Sequence, residues 1–352
     1  MKVTLFSIFI LVVLLSFTIK IKIMKPFKIT GLGTYYPENI VKSSDLESKY
    51  SLPNGWSERY SGVKVRHHVI TETNAFLGAR ALEKALAKAE MKVDNIDLLI
   101  SASATYDYPL PNQSSLIKYE LTGSKNTDFA CIDMDATCLS FVAAMDYASR
   151  FLDGKRYRNI AIVSSEIASK GLNPENWETL TLFGDGAAAM ILSFDENAVG
   201  GAVHFDMKTY AEGAYNTIIR GGGNALFFKD NPYSPELHSF KMEGKKLLRM
   251  AKQKIPVFMN DFFKDLEGTI ENVDFIIPHQ ASKMGVWMFE KLYNFSEGQV
   301  LRNLETKGNC IAASIPSVLI ENMENGTIQQ GHTVLLCGTA AGFSIGGILI
   351  KI

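Results

Sequence analysis

The chain has 352 residues, 47% of them hydrophobic, with 36 Lys and Arg against 37 Asp and Glu. This apolar content suffices for one large core or two fused cores and excludes a disordered chain. Because the charges nearly cancel, general electrostatic binding to nucleic acid or a membrane surface is also excluded. The four cysteines form no Cys-x-x-Cys pair, which indicates free thiols in a reducing compartment rather than a disulfide framework.

The opening residues 1–23 stand apart, because Val3 to Ile19 is an almost unbroken apolar run. Two interpretations stay open: a short membrane anchor, or a spurious extension with translation starting at Met24. The absence of a small-residue cleavage site argues against a removed signal peptide. The lysines cluster after the run, so an anchor would leave the main domain in the cytoplasm. Either interpretation predicts a cytoplasmic protein.

Apolar segments rich in Ile, Val and Leu predict buried strands, and helical patterns alternate with them. This alternation predicts an α/β protein with largely parallel sheets covered by helices on both faces. One helix follows Cys138, with apolar residues on a single face and Gly154 as its stop. The predicted strands are Ile96 to Ala104, Asn159 to Glu166, Ala187 to Phe194, Val273 to Gln280 and Thr333 to Ala340.

A weak internal repeat relates the two halves of the chain. "NIDLLISASA" from Asn95 matches "NVDFIIPHQA" from Asn272, and each is followed by a loop, a helix, a glycine and a strand. The repeat predicts an N-terminal half, residues 24–198, and a C-terminal half, residues 199–352, with a cleft between equivalent loops. Chance similarity of two buried strands is the alternative, and the longer agreement of element order weighs against it.

Cys138 is the candidate nucleophile. A thiol at a helix N-terminus meets unpaired N–H groups and the positive end of the helix dipole, which favour the thiolate. Asp133 and Asp135 act in the opposite direction. A buried thiol that only fills space is the alternative, since free cysteine is commonly buried.

Polar residues in the second half supply candidate partners. His279 follows a predicted strand at its carboxyl end, where ligands bind in α/β sheets, and Asn309 opens a small-residue helix. Alone, these would be explained as a loop-capping histidine and a helix cap. The repeat places the Cys138 and Asn309 loops at one cleft. Glycines and alanines in Cys337 to Ile350 allow backbone N–H groups to approach a ligand, or simply make a tight hairpin.

From Met24 onward the chain resembles the β-ketoacyl-acyl carrier protein synthase III family, within the thiolase-fold condensing enzymes. The separation between His279 and Asn309 equals the family's. The matching segments stand in family order: "GLGTYYPENIV", "WSERYSG", "DATCLSF", "FGDGAAAMIL", "KMEGKKLLRMA", "PHQAS", "GNCIAASIP" and the closing glycine and alanine hairpin. The resemblance implies two duplicated α/β halves in a five-layered αβαβα arrangement.

The resemblance also implies roles for individual residues. Cys138 would take the acyl group from a thioester, while His279 and Asn309 would hydrogen-bond the carbonyl of a malonyl-type donor. The backbone N–H groups of Cys138 and Ala341 would form the oxyanion hole, and Asp185 would be structural. The family implies a homodimer acting on acyl thioesters of coenzyme A or acyl carrier protein in fatty acid or related biosynthesis, with no metal or redox cofactor.

The chain departs from the family at the positions expected to bind coenzyme A. The adenine-stacking tryptophan is kept as Trp56, but the arginine expected four residues later is Tyr60. A second stacking arginine is replaced by Trp177. These changes put coenzyme A in doubt as the acyl donor.

Other departures affect the carrier protein and the acyl pocket. A basic residue that relatives use to hold carrier protein is Met284, with Lys283 adjacent. Leu110 replaces a phenylalanine that bounds the acyl pocket across the dimer interface, so a longer or differently shaped acyl group would fit. Ser282, in "HQAS" rather than "HQAN", indicates a specialised branch.

Three further functions are alternatives to decarboxylating condensation. A specialised acyltransferase or secondary-metabolite synthase on the same fold is the main alternative. A thiolase would need a second catalytic cysteine, and Cys337 falls one place before the required position. A catalytically silent partner subunit is disfavoured by the intact Cys, His and Asn set.

Overall fold

The protein is described from a computed structural model, which covers residues 23–352. The predicted extension lies outside these residues, apart from Ile23. Within the described range, no helix combines the length and the hydropathy that crossing a bilayer requires.

Two five-stranded sheets form the framework, and two two-stranded sheets, β3–β4 and β10–β11, accompany them. The first sheet has the order β2-β8-β7-β5-β6 and the second the order β1-β9-β14-β13-β12. The strands are β1 Lys25–Pro26, β2 Lys28–Tyr35, β3 Ile40–Lys42, β4 Val65–His67, β5 Leu98–Ser101, β6 Ala130–Asp133, β7 Asn159–Glu166, β8 Gly186–Ser193, β9 Gly201–Thr209, β10 Thr217–Ile218, β11 Lys241–Met242, β12 Phe275–Pro278, β13 Thr333–Ala340 and β14 Ser344–Lys351.

The prediction of largely parallel sheets is wrong, because both sheets are mixed. Strand β5 runs parallel to β6 and β7, and β12 runs parallel to β13. The β7–β8 and β13–β14 pairs are antiparallel. The second of these is joined by only residues 341–343, and a connection this short can join only antiparallel neighbours.

Helices cover the outer faces of both sheets and fill the space between them. Alternate residues of β5 and β13 face different cores: Leu98 and Ile100 face the central core, whereas Leu99 faces the outer one. Helices α5 and α11 occupy the central layer, α3 and α4 cover the first sheet, and α8 and α9 cover the second. This is the expected five-layered αβαβα arrangement. The helices are α1 Ser43–Lys49, α2 Trp56–Tyr60, α3 Asn74–Lys88, α4 Gln113–Glu120, α5 Ser140–Phe151, α6 Trp177–Leu180, α7 Pro235–His238, α8 Gly244–Phe263, α9 Lys283–Leu292, α10 Leu304–Lys307 and α11 Ser314–Glu324.

The helix after Cys138 ends earlier than predicted. Helix α5 stops at Phe151, and Leu152 already has extended backbone angles. The Asp153 carboxylate accepts N–H groups from Lys155 at 2.9 Å and Arg156 at 2.8 Å, which turns the chain. Gly154, with φ +70°, lies within this turn rather than at the helix end. A side-chain-capped turn therefore stops the helix before the glycine.

Equivalent hydrogen bonds occur in the two copies of the internal repeat. Asn95 and Asn272 each accept, at 2.9 Å, the N–H of the residue three positions earlier. Asp97 and Asp274 then accept the first N–H of β7 at 2.8 Å and of β13 at 2.7 Å. The division at residue 198 stays a prediction, and strand β1 pairs with the second sheet although it belongs to the predicted first half.

Candidate active site

Cys138 lies in a tight turn, Thr137–Leu139, directly before α5. Thr137 has a left-handed backbone conformation, with φ +51°. Its N–H donates to the Asp135 carboxylate at 2.7 Å, and the Ser140 hydroxyl accepts the Ala136 N–H at 2.9 Å. The side chains on either side of Cys138 thus fix the turn, which holds the cysteine at the entrance to the helix.

The same turn recurs before α11. Ile311 has φ +47°, its N–H donates to the Asn309 side-chain oxygen at 2.9 Å, and Ser314 accepts the N–H of Cys310 at 2.9 Å. In this register Asn309 is the counterpart of Asp135. Ala312 is the counterpart of Cys138. The two turns pack against each other, which places the Cys138 and Asn309 loops side by side.

The Asn309 amide is oriented by its own turn. Because the side-chain oxygen accepts the Ile311 N–H, the amino group is directed away from the turn. That amino group makes only a long contact, 3.4 Å, to the Ala281 carbonyl. The backbone is held to the segment around Phe183, with the Asn309 N–H donating to the Leu182 carbonyl at 2.9 Å. Asn309 therefore has a hydrogen-bond donor to offer a ligand.

His279 lies just after β12, where Pro278 ends the strand as predicted. Its N–H donates to the Cys337 carbonyl at 2.8 Å. Gly338 is in close contact, because a Cβ there would lie 2.5 Å from the His279 Cβ. Burial lowers the pKa of His279 to about 4, so the imidazole is neutral at neutral pH. Its Nδ1 is buried and has no partner.

The electrostatic environment of Cys138 differs from the prediction. Burial raises the pKa of the thiol to about 12, and the charges of Glu166 and Asp135 act in the same direction. The backbone N–H groups of Ala341 and Cys138 oppose the rise. Burial thus raises the pKa of Cys138 by more than the N–H groups at the helix start lower it. Asp133 is directed elsewhere, with its carboxylate bound to the Gln113 and Ser114 N–H groups at the start of α4.

Consecutive contacts link the predicted catalytic residues. Cys138 lies beside the Ala341 N–H, which follows β13. Gly338, in the same strand, contacts His279. Asn309 reaches the carbonyl of Ala281, two residues after His279. These contacts place the Cys138 turn, the Asn309 turn, His279 and Ala341 in neighbouring segments. Their joint catalytic role stays a prediction.

Glu166 was not identified from the sequence. It ends β7 and is fully buried. Its carboxylate accepts the Ala104 and Thr105 N–H groups at 2.8 and 2.9 Å and the Thr105 hydroxyl at 2.5 Å. The available signal was an acidic residue at the end of the otherwise uncharged "NIAIVSSE" strand.

Three aromatic rings pack together on helices α2 and α6. Trp56 stacks on Tyr60, with ring centroids 4.6 Å apart and an interplanar angle of 27°. Trp177 meets Trp56 edge to face at 5.8 Å. Their edge-to-face and stacked geometries are favourable for aromatic pairs. Trp56 thus contacts two rings of its own chain.

The remaining predicted binding residues lie in two places, Ser282 and Lys283 at the start of α9 and Leu110 in the loop after β5. Ser282 is the N-cap of α9, and its hydroxyl accepts the Gly285 N–H at 3.0 Å. Lys283 extends over α2 and donates to the Glu58 carbonyl at 3.4 Å. Leu110 is 85% exposed, so it forms no wall of a cleft within its own chain.

Asp185 has a structural environment. Its carboxylate is fully buried and accepts N–H groups from Val69, Ala168 and Ser169 at 2.8 to 2.9 Å. The Ser169 hydroxyl also donates to it, at 2.6 Å. Among residues 23–352, no group of three or more His, Cys, Asp or Glu is arranged to hold a metal ion. The absence of a cofactor stays a prediction.

Sequence comparison identifies related proteins. Residues 132–211 match the family model for 3-oxoacyl-[acyl-carrier-protein (ACP)] synthase III, and residues 264–352 match its C-terminal model. The β-ketoacyl-[acyl-carrier-protein] synthase III of Neisseria gonorrhoeae is 30% identical over 331 residues, covering 93% of this chain and 100% of the relative. The Clostridium acetobutylicum protein of the same name is 29% identical, covering 93% and 99%.

Solved structures agree on the fold. The 3-oxoacyl-[acyl-carrier-protein] synthase III of Aquifex aeolicus has a TM-score of 0.81 at 25% identity, covering 93% of this chain and 100% of that one. A priming β-ketosynthase from the R1128 polyketide pathway has a TM-score of 0.82 at 22% identity, covering 93% and 96%. The architecture is that of the thiolase-fold condensing enzymes, which are acyltransferases. Within that class, the chain belongs to the β-ketoacyl-acyl carrier protein synthase III family.

Proposed function

We propose that the protein catalyses a decarboxylating Claisen condensation between an acyl thioester and malonyl-acyl carrier protein, by way of an acyl-Cys138 intermediate. The observation that supports this proposal is that the Cys138 turn packs against the Asn309 turn and beside Ala341, while His279 packs against Gly338 of the same strand β13. Membership of the synthase III family supports the same reaction class.

In the first half-reaction, Cys138 attacks the carbonyl carbon of the acyl thioester. The new sulfur–carbon bond forms while the carrier's sulfur–carbon bond breaks, and the thiol proton leaves with the carrier thiol. The N–H groups of Cys138 and Ala341 would stabilise the oxyanion of the tetrahedral intermediate. Covalent capture divides one difficult step into two easier ones.

In the second half-reaction, His279 and Asn309 would donate hydrogen bonds to the carbonyl oxygen of the malonyl thioester. Loss of carbon dioxide leaves an enolate, whose negative charge develops on that oxygen. Each fixed donor to this oxygen contributes about 3 kcal/mol. The enolate carbon then attacks the acyl-cysteine carbonyl, the sulfur–carbon bond breaks, and the Cys138 thiolate that leaves takes up a proton from solvent. The neutral state of His279 supports this role, because a neutral imidazole keeps one donor.

Acyl carrier protein is the proposed partner, and the acyl group would arrive on the carrier or on coenzyme A. The exposed start of α8 supports an acidic partner, because no acidic residue occurs among residues 244–260. Such charge steers an oppositely charged protein. The three packed rings around Trp56 favour carrier over coenzyme A as the donor. The basic residues of this stretch are Lys245, Lys246, Arg249, Lys252 and Lys254.

A homodimer is the proposed assembly. Strand β6 forms one edge of the first sheet and presents Ile132 to solvent. An uncovered edge strand is a template for pairing with another chain. Leu110 lies in an exposed, aromatic-rich loop between β5 and α4, where it would reach a partner's acyl pocket. The four free cysteines support a cytoplasmic location.

Two measurements on the same preparation test the reaction. Mass spectrometry should find an added acyl group on the Cys138 peptide after incubation with an acyl thioester, and none in Cys138→Ala. Malonyl carrier protein should then yield carbon dioxide together with a β-ketoacyl product. Transfer of the acyl group to an acceptor without gas release would instead support the acyltransferase alternative.

A further inference from the structure

Glu166 connects two segments that border the Cys138 site. It lies at the end of β7, and its three hydrogen bonds hold the loop after β5 at Ala104 and Thr105. Thr105 in turn accepts a hydrogen bond from Asn74 at 2.9 Å. The carboxylate is also approached by the Ala312 N–H. One buried side chain therefore contacts both halves of the molecule.

The internal repeat explains why this carboxylate lies close to the nucleophile. Ala312 is the counterpart of Cys138, and Glu166 is the counterpart of Ala340 at the end of β13. The Cys138 turn faces the end of β13 beside Ala341, and correspondingly the Ala312 turn packs against the end of β7. The two turns also contact each other. Glu166 and Cys138 are therefore separated only by the Ala312 turn.

The other charged groups near Cys138 are few. Asp135 lies in the cysteine's own turn, where it is exposed. His279 is neutral because burial lowers its pKa to about 4, and the Ala341 N–H approaches the cysteine from the end of β13. The thiol of Cys310, from the Ala312 turn, is buried, and burial raises its pKa far above the ordinary value, so it carries no charge at neutral pH. Of the two carboxylates that raise the pKa of Cys138, Glu166 has the larger effect and is the buried one.

We propose that Glu166 is a positioning residue of the Cys138 site: it holds the Ala104–Thr105 loop against the Ala312 turn, and its charge state sets how readily the Cys138 thiol reacts. The inference rests on the proposed role of Cys138 as nucleophile. It adds a residue that acts through the cysteine rather than on the substrate.

The charge of Glu166 depends on pH within an accessible range. Burial raises the pKa of Glu166 to about 8, against the hydrogen bonds from Thr105, Ala104 and Ala312. Below this pH the carboxyl is mostly protonated and has no charge to disfavour the Cys138 thiolate. Above it the negative charge repels the thiolate. The thiol should therefore gain less reactivity with rising pH than an isolated thiol would.

The test is the rate of iodoacetamide alkylation of Cys138 between pH 6.5 and 9.5, followed by mass spectrometry of the Cys138 peptide so that the other cysteines do not interfere. Glu166→Gln removes the charge and keeps an oxygen for the Thr105 donors. The rate of Glu166→Gln relative to the unsubstituted protein should rise from about one at pH 6.5 to about three- to tenfold at pH 9.5, since one pKa unit corresponds to tenfold.

Asp135→Asn is the matched control. It makes the same carboxylate-to-amide change, and Asn309 forms the equivalent turn with an amide. Because Asp135 is exposed, solvent screens its charge, and its rate ratio should stay below about twofold at every pH.

The Glu166→Gln ratio separates the outcomes. A flat ratio, whether at one or uniformly raised by a loosened site, would overturn the inference. If Glu166→Gln does not fold, Thr105→Val serves instead. Thr105→Val removes the hydroxyl that donates to Glu166, so the pKa of Glu166 should rise. The effect of the Glu166 charge on the alkylation rate should then begin at a higher pH. An unchanged dependence of the rate on pH would refute the inference. Because alkylation needs no substrate, these results are independent of whether Cys138→Ala loses acyl transfer.

Discussion

Hydrogen bonding decides what Asn309 and His279 can offer a ligand. The Asn309 oxygen serves its own turn, which leaves the amino group as the part available to a thioester oxygen. His279 is buried and neutral, and its Nδ1 has no partner. A buried polar atom without a partner is costly. Both residues therefore offer donors without rearrangement, as stabilisation of a developing negative charge requires.

Asn309→Asp tests the donor separately from the turn. Aspartate can accept the Ile311 N–H, as Asp135 accepts that of Thr137, but an ionised carboxylate cannot donate. Carbon dioxide release from malonyl carrier protein should fall about 10² to 10³-fold, while acylation of Cys138 is kept. A variant that loses both steps equally would contradict the assigned role.

His279 should also make stability depend on pH. Its pKa is about 4 in the folded protein, against an ordinary value of 6.5. As pH falls from 6.5 towards 4, the unfolded chain binds a proton that the folded chain does not, so stability is lost in this window. His279→Gln should remove about 2 to 3 kcal/mol of the stability difference between pH 7 and pH 4.5. Urea unfolding at the two pH values measures it, and an unchanged difference would refute the assignment.

Secondary-structure elements were predictable where their signals are local. The strands Asn159–Glu166 and Thr333–Ala340 coincide with the predicted segments, because buried runs and flanking polar residues mark their ends. The sheet direction was not predictable, since it depends on pairing between distant strands. The end of α5 was mispredicted because a turn capped by Asp153 precedes Gly154. Glu166 was missed because its donors lie about 60 residues earlier.

Asp185 connects secondary-structure elements, because its carboxylate anchors the loops around β4, β7 and β8. Asp185→Ala should lower the free energy of unfolding by about 3 kcal/mol or more, because it leaves the buried N–H of Ala168 and the half-buried N–H groups of Val69 and Ser169 without their acceptor. Urea denaturation gives the value. Asp128→Ala, at an exposed site, should change it by less than about 0.5 kcal/mol. Similar losses in the two variants would argue against the anchoring role.

At the scale of the whole molecule, the repeated order of elements brings two equivalent turns together. Each half supplies one turn before a central helix, and the two turns meet between the sheets. The two copies differ at the second residue of this turn, which is Cys138 in the first copy and Ala312 in the second. The repeat and the family resemblance made this arrangement predictable from the sequence. The electrostatic balance at Cys138 was not, because it depends on burial.

Assembly is predicted at the same scale. Ile132→Lys would place a charge on the exposed edge strand β6, and it should convert a dimer to a monomer with lower activity. Sedimentation velocity measures the state. Val199→Lys, at an exposed position in the β8–β9 connection, is the control and should leave the dimer intact. A fully active unsubstituted monomer would refute the proposed assembly.

The most direct test of the central claim compares gas release and product formation in single-site variants given an acyl thioester and malonyl carrier protein. The account predicts that Cys138→Ala forms no acyl-enzyme and no β-ketoacyl product, whereas His279→Ala and Asn309→Ala still acylate Cys138 but release little carbon dioxide. Normal product from Cys138→Ala, or normal gas release from Asn309→Ala, would contradict the claim that these residues form one condensing site.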